Sequence, residues 1–141
     1  MAVVVQAMVQ SEISGICFTV HPITKDRNQM VIEAGYGLGE AIVSGQITPD
    51  TYVIDKRDFS LSDINVAEQE KMLIRNPRGG NVWKKVPKAD QGRQTLTRKE
   101  IIELAKLCAK IEKHYKKPQD IEWALEKGKF YITQSRPITT L

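Results

Sequence analysis

Asp120-Ile121-Glu122-Trp123-Ala124-Leu125-Glu126-Lys127-Gly128-Lys129-Phe130-Tyr131-Ile132-Thr133-Gln134-Ser135-Arg136-Pro137 places two runs of mixed polar and apolar residues on either side of one glycine. The pattern predicts a β-hairpin, with Gly128 free to adopt positive φ in the turn. Side chains along a strand alternate between faces, so Asp120 and Glu122 share one face, as do Gln134 and Arg136. A three-residue loop over 126–128 pairs Leu125 with Lys129. It sets Asp120 opposite Gln134, with Glu122 diagonal to Gln134 at roughly 7–8 Å. One face of the sheet then carries two carboxylates, a carboxamide oxygen and a guanidinium. Hard oxygen donors beside a planar cation suit a magnesium-bound nucleoside triphosphate.

Upstream, residues 2–9 form a continuous apolar, β-branched run, expected as a buried strand. Further strands are expected over 15–20, 30–34 and 50–55. A glycine-rich turn at 35–39 leads into a short helix over 38–44, which Gly45 stops. Residues 56–69 are polar and are expected to cross the surface. Runs 70–75 and 82–86 are expected to pair around Pro77 to Gly80. Thr97 and Glu100 form a capping-box pattern, and Leu96 and Ile101 are placed for a hydrophobic staple. Ile101, Leu104, Ala105, Cys108, Ile111 and Tyr115 then recur at helical spacing. Lys116 and Lys117 suit the negative end of this helix, and Pro118 stops it. The fold class that follows is α+β, a mainly antiparallel sheet with one long helix packed on a face.

Composition narrows the function classes. The chain has 141 residues, 41% hydrophobic and 27% charged, which is ordinary for a globular domain. No apolar run approaches a membrane span, and the first residues lack the basic and cleavage features of a secretion signal. A cytoplasmic location is the expectation. Cys17 and Cys108 sit in apolar contexts and read as buried reduced thiols. They and the two histidines do not make a zinc pattern. A net charge of +4 gathers in 75–88, 93–99 and 110–117, with Trp83 inside the first stretch. That permits a basic module for RNA or a partner protein. A solvated surface around a short loop is the simpler reading, because no RNA-binding signature accompanies it.

Asp-Ile-Glu-Trp-Ala followed by Gln-Ser-Arg-Pro resembles the end of the ATP-binding domain of the phosphoenolpyruvate synthase (pyruvate, water dikinase) family. Pyruvate phosphate dikinase and the rifampin phosphotransferases are relatives of that family. Val3 to Val9, Ser14-Gly15, Gly37-Leu38-Gly39-Glu40, Ser44-Gly45, Thr48-Pro49-Asp50 and Ile111 to Tyr115 carry the resemblance over nearly the whole chain. It implies one lobe of an ATP-grasp fold, a single partial domain over 1–141. The other lobe, a phosphohistidine domain and a pyruvate-binding barrel are expected elsewhere in the enzyme. By resemblance, Glu122 and Gln134 match the metal-triphosphate ligands. Asp120 matches an acidic position acting through water or from behind those ligands. Arg136 matches the arginine on the transferring phosphate. Gln6, Met8 and Val9 match the segment that reads adenine, largely through its backbone. The implied cofactor is Mg2+ and the implied substrate ATP, with pyruvate met only by domains outside this chain. Gly35 to Glu40 lacks a P-loop pattern and reads as a structural turn. His21 and His114 match no phosphohistidine motif and read as structural or surface groups.

Overall fold

The computed structural model describes residues 2–140. Eight strands and two α-helices follow one another: β1 Ile13–Phe18, β2 Gln29–Tyr36, α1 Glu40–Val43, β3 Asp50–Asp55, β4 Leu61–Asn65, β5 Lys71–Arg75, β6 Asn81–Lys85, α2 Arg98–Tyr115, β7 Gln119–Glu126 and β8 Lys129–Pro137. Six strands make one sheet in the order β4-β3-β2-β1-β7-β8, every neighbour antiparallel. β5 and β6 form a separate two-stranded ribbon. The α+β expectation holds.

Alternation assigns the two faces of the sheet. Ile121, Cys17, Ile32 and Tyr52 lie in one cross-strand row, all fully buried, and belong to the same cluster as Ile101, Leu104, Ala105 and Cys108 of α2. Helix α2 therefore covers this face. The next row runs Trp123, Gly15, Ala34, Asp50. A Cβ on Gly15 would stand 1.7 Å from the Glu33 carbonyl oxygen and 2.8 Å from Cζ2 of Trp123, so only glycine fits where the indole lies across β1. Both cysteines are buried and free, and burial, with Cys108 alongside, pushes the Cys17 thiol up.

Helix α2 starts where its sequence says. Thr97 Oγ1 accepts from the Glu100 N–H at 3.2 Å, and Glu100 Oε1 accepts from the Thr97 N–H at 2.8 Å. Leu96 and Ile101 are both fully buried beside this cap. Lys116 ends the helix in the left-handed conformation. The apolar stripe is buried only where the sheet lies beneath it, and Tyr115 in the final turn is 53% exposed.

Three expectations are corrected. Residues 2–9 form no strand, and Val3, Val4 and Val5 are 84%, 83% and 93% exposed. β-branched residues favour extended backbone, but a strand exists only where a partner completes its ladder, and neither sheet supplies one here. The stretch 56–69 holds β4, whose residues are almost all exposed. An edge strand without a buried face has no alternation to reveal it. The third correction, to the hairpin register, shapes the site.

A buried polar knot fixes the loops beneath the sheet. Asp50 is fully buried and has no cationic partner among the described residues. Its Oδ1 accepts from Ala67 N and Gln69 Nε2, and its Oδ2 accepts from Thr95 N, Thr95 Oγ1 and Tyr52 OH, all within 2.8–3.2 Å. Burial raises the Tyr52 hydroxyl far above its usual range, so it remains a donor. Lys56 Nζ and Glu112 Oε1, 2.6 Å apart, add a half-buried tie between the end of β3 and α2.

Candidate nucleotide site

The hairpin turn is tighter than a three-residue loop. Lys127 and Gly128 both have positive φ, 52° and 76°, and Glu126 pairs with Lys129, so the loop has two residues. Its twist matches that of the flanking strands. Further on, Trp123 pairs with Ile132 but Glu122 pairs with Gln134, which leaves Thr133 as the extra residue of a β-bulge. The shorter turn moves the register by one residue, and the bulge moves it by one more. Two shifts of one preserve parity, so Glu122, Gln134, Asp120 and Arg136 share a face as expected, with closer partners. Gln134 stands directly opposite Glu122, and Arg136 opposite Asp120. Arg136 Nε donates to Asp120 Oδ2 at 3.3 Å, and most of the guanidinium remains exposed.

This is the face that α2 does not cover. Glu122 forms part of the wall of a cavity of about 540 Å3 whose other walls include Ala7, Met8, Val9, Leu38 and Ala124. Gln6 also lines it, and its amide donates to the carbonyl of bulged Thr133 at 3.4 Å. Although 2–9 is not a strand, it packs Gln6, Met8 and Val9 beside the hairpin face. The lining there is largely apolar, which suits a planar heteroaromatic ring. Asp120 and Arg136 instead border a neighbouring recess of about 310 Å3, with Phe18 and Pro137. Four residues of strand, roughly 13 Å, separate Ala124 from Asp120. The apolar and the charged ends are therefore laid out in line, with Glu122 and Gln134 between them.

Two groups escaped the sequence reading. Glu33 is opposite Ile16, which is opposite Glu122, so Gln134, Glu122, Ile16 and Glu33 form one row across the open face. Burial, with the Asp120 charge nearby, raises the Glu33 carboxyl above its usual value. A lone charged residue inside an apolar strand was the available signal. The second is Asn81, which lines the main cavity together with Glu40 although 41 residues separate them. No local pattern joins those two.

Neither histidine lines these two cavities. His21 Nδ1 accepts from the backbone N–H of Ile23 and Thr24 at 3.2 Å, capping its loop. His114 stacks edge-on against Tyr115. The turn through Gly37 is held by backbone bonds, its amide donating to Glu12 O and the next amide to Leu73 O, while Leu38, Gly39 and Glu40 line the main cavity. Among the described residues no three His, Cys, Asp or Glu side chains converge on a metal position. No helix among them is long and apolar enough to cross a membrane.

Comparison with known proteins places the whole chain in one family. Residues 1–141 match the family model for the pyruvate phosphate dikinase AMP/ATP-binding domain. Phosphoenolpyruvate synthase of Pyrococcus furiosus is 49% identical over 149 aligned residues, covering 100% of this chain and 18% of that protein. A probable phosphoenolpyruvate synthase of Methanocaldococcus jannaschii is 48% identical over 141 residues, covering 100% of this chain and 12% of that protein. Rifampicin phosphotransferase of Bacillus subtilis is 43% identical, covering 100% of this chain and 16% of that protein. The chain thus spans less than a fifth of the length of these relatives.

Proposed function

The chain belongs to the pyruvate phosphate dikinase AMP/ATP-binding domain family, and on that premise we propose that it is the ATP-grasp lobe holding the adenine and the Mg2+-triphosphate of a cytoplasmic phosphoenolpyruvate synthase-type enzyme. The observation that carries the reading is the Glu122–Gln134 pair, facing across β7 and β8, with Glu122 at the cavity wall, Gln134 exposed on the strand beside it and Arg136 two residues further along. Gln6, Met8 and Val9 would hold the base at the apolar end. The triphosphate would run along the strand toward Arg136.

The donor set fits Mg2+. A carboxylate and a carboxamide oxygen are hard ligands, and this ion needs few protein groups because it keeps waters and takes phosphate oxygens. Glu122 and Gln134 would hold it, and when bound it neutralises phosphate charge. Asp120 would orient Arg136 through their ion pair and reach the ion through water. Arg136 presents planar donors to phosphoryl oxygens, a grip that strengthens as charge shifts in transfer. The overall reaction would be ATP, pyruvate and water to AMP, phosphate and phosphoenolpyruvate through a phosphohistidine. Its histidine, the facing lobe and the pyruvate site would belong to domains outside this chain, and those domains are its expected partners.

The 43% identity to a rifampicin phosphotransferase supports a second acceptor for the same nucleotide lobe. A basic module for RNA or protein is the reading from another class, with Lys71, Trp83, Lys84 and Lys85 on the ribbon as its surface.

The test is a 15N–1H correlation titration of the chain with ATP at fixed Mg2+. Shifts gathering at 6–9, 122–124 and 133–136, and weakened by Glu122→Gln, are the expected outcome. Shifts confined to the ribbon, or RNA binding that falls steeply between two salt concentrations, would favour the basic module.

A further inference from the structure

The main cavity has a polar corner that the hairpin does not provide. The ribbon β5–β6 docks on the body through Leu73, whose carbonyl accepts from the Leu38 N–H at 2.8 Å and whose side chain packs against Leu38 and Ala41. This docking sets the first residue of β6 against the first residue of α1. Asn81 Nδ2 donates to Glu40 Oε2 at 3.0 Å, and both side chains line the cavity that Glu122 borders.

Hydrogen-bond inventory then fixes what the pair presents. A carboxylate only accepts, so the Asn81 nitrogen must face Glu40 and its Oδ1 must point elsewhere. Among the described residues neither Glu40 Oε1 nor Asn81 Oδ1 takes part in another side-chain hydrogen bond. Both side chains are exposed, so water satisfies these oxygens in the free chain and a ligand would have to replace it; two neighbouring acceptors, one of them charged, suit two neighbouring donors. A triphosphate offers none and is repelled by the carboxylate. An adenine edge alternates donor with acceptor and does not match two acceptors. The cis-diol of a ribose offers two adjacent O–H donors, and a carboxylate is a strong acceptor for them.

We propose that Glu40 and Asn81 together read the ribose 2′ and 3′ hydroxyls, so that the β5–β6 ribbon makes the site selective for ribonucleotides over deoxyribonucleotides. This rests on the ATP reading above and adds a specificity to it. The ribbon then has a function beyond covering α1: it carries one half of the acceptor pair from a separate sheet.

The experiment measures dissociation constants of the chain by 15N–1H titration with ATP, 2′-deoxy-ATP, 3′-deoxy-ATP and inorganic tripolyphosphate at fixed Mg2+. Loss of a hydroxyl bound to a charged acceptor is expected to weaken binding about tenfold. Glu40→Ala should bring ATP to the level of 2′-deoxy-ATP, and Asn81→Ala should narrow the ratio. Equal binding of ATP and both deoxy analogues by the unaltered chain would overturn this proposal and leave the ATP reading standing. A ratio that survives Glu40→Ala in a folded variant would overturn it too. Absence of shifts with every nucleotide at concentrations well above the millimolar range expected of the lone lobe would end both readings. The comparison of ATP with its deoxy analogues needs no variant, so a misfolded mutant does not decide the matter.

Discussion

Glu122 and Gln134 face each other across the β7–β8 ladder because Thr133 is bulged out before Gln134. Ile132 points into the core beside Trp123, and without the bulge Gln134, two residues on, would point there as well. The bulge brings a carboxamide oxygen onto the open face, opposite a carboxylate, and carries Arg136 with it to Asp120. Bulges beside binding sites commonly re-aim side chains in this way.

If Arg136 grips the transferring phosphate as proposed, Arg136→Lys in the full-length enzyme should lower turnover more than ATP affinity. The ammonium keeps the charge and loses the two-point planar grip, and that grip tightens as charge moves toward the transition state. Single-turnover formation of the phosphohistidine, followed at several Mg2+ concentrations, measures this. Glu122→Gln in the same assay should be partly rescued by added Mg2+. Wild-type rates for both variants would remove these residues from the mechanism.

The chain by itself should bind Mg-ATP no better than about millimolar, roughly −4 kcal/mol. The open face supplies one side of the expected cleft, and transfer chemistry depends on positioning by both. Calorimetry reporting micromolar binding would mean that this face holds the nucleotide unaided or that two copies close on it.

Helix α2 should respond to two changes of different size. Thr97→Ala removes the acceptor for the Glu100 N–H and should cost about 1 kcal/mol. Leu104→Ala empties a fully buried site and should cost about 2–5 kcal/mol. Urea midpoints with unchanged m-values would report both, and a neutral Leu104→Ala would contradict the packing of α2 on the sheet.

Asp50→Asn should cost on the order of 3 kcal/mol. Whichever way the amide turns, its NH2 meets an N–H that can only donate, either the Thr95 backbone amide or the Ala67 amide and the Gln69 side chain. Denaturant unfolding gives the size. Loss of ordered amide signals around 67–69 and 95–96 would identify the cause.

Glu33→Gln should stabilise the fold at neutral pH. The folded Glu33 carboxyl titrates above its ordinary value of 4.5, chiefly through burial and then through Asp120. The protonated form is thus favoured in the folded state. The resulting penalty is absent well below pH 4.5, grows as pH rises through the folded pKa and is complete above it. The stability difference between variant and parent should follow that course in thermal melts, and a constant difference across pH would exclude the charge as its cause.

Local order was written into the sequence. The capping box and apolar spacing of α2, the strand over 50–55 and the polar face of the last hairpin rest on neighbours within four residues, where backbone geometry alone sets periodicity. Parity even survived a wrong loop length, because the two-residue turn and the Thr133 bulge shift the register by one residue each. What the tertiary structure decided are relations between distant segments. Val3 to Val5 have strand propensity but no ladder to join, and β4 forms on polar residues because β3 offers it one. Asp50 gathers loops 17 and 45 residues away, and Glu40 meets Asn81 only because Leu73 docks on Leu38. Such contacts are fixed by the packing of whole elements against a shared core, and no spacing along the chain encodes them singly.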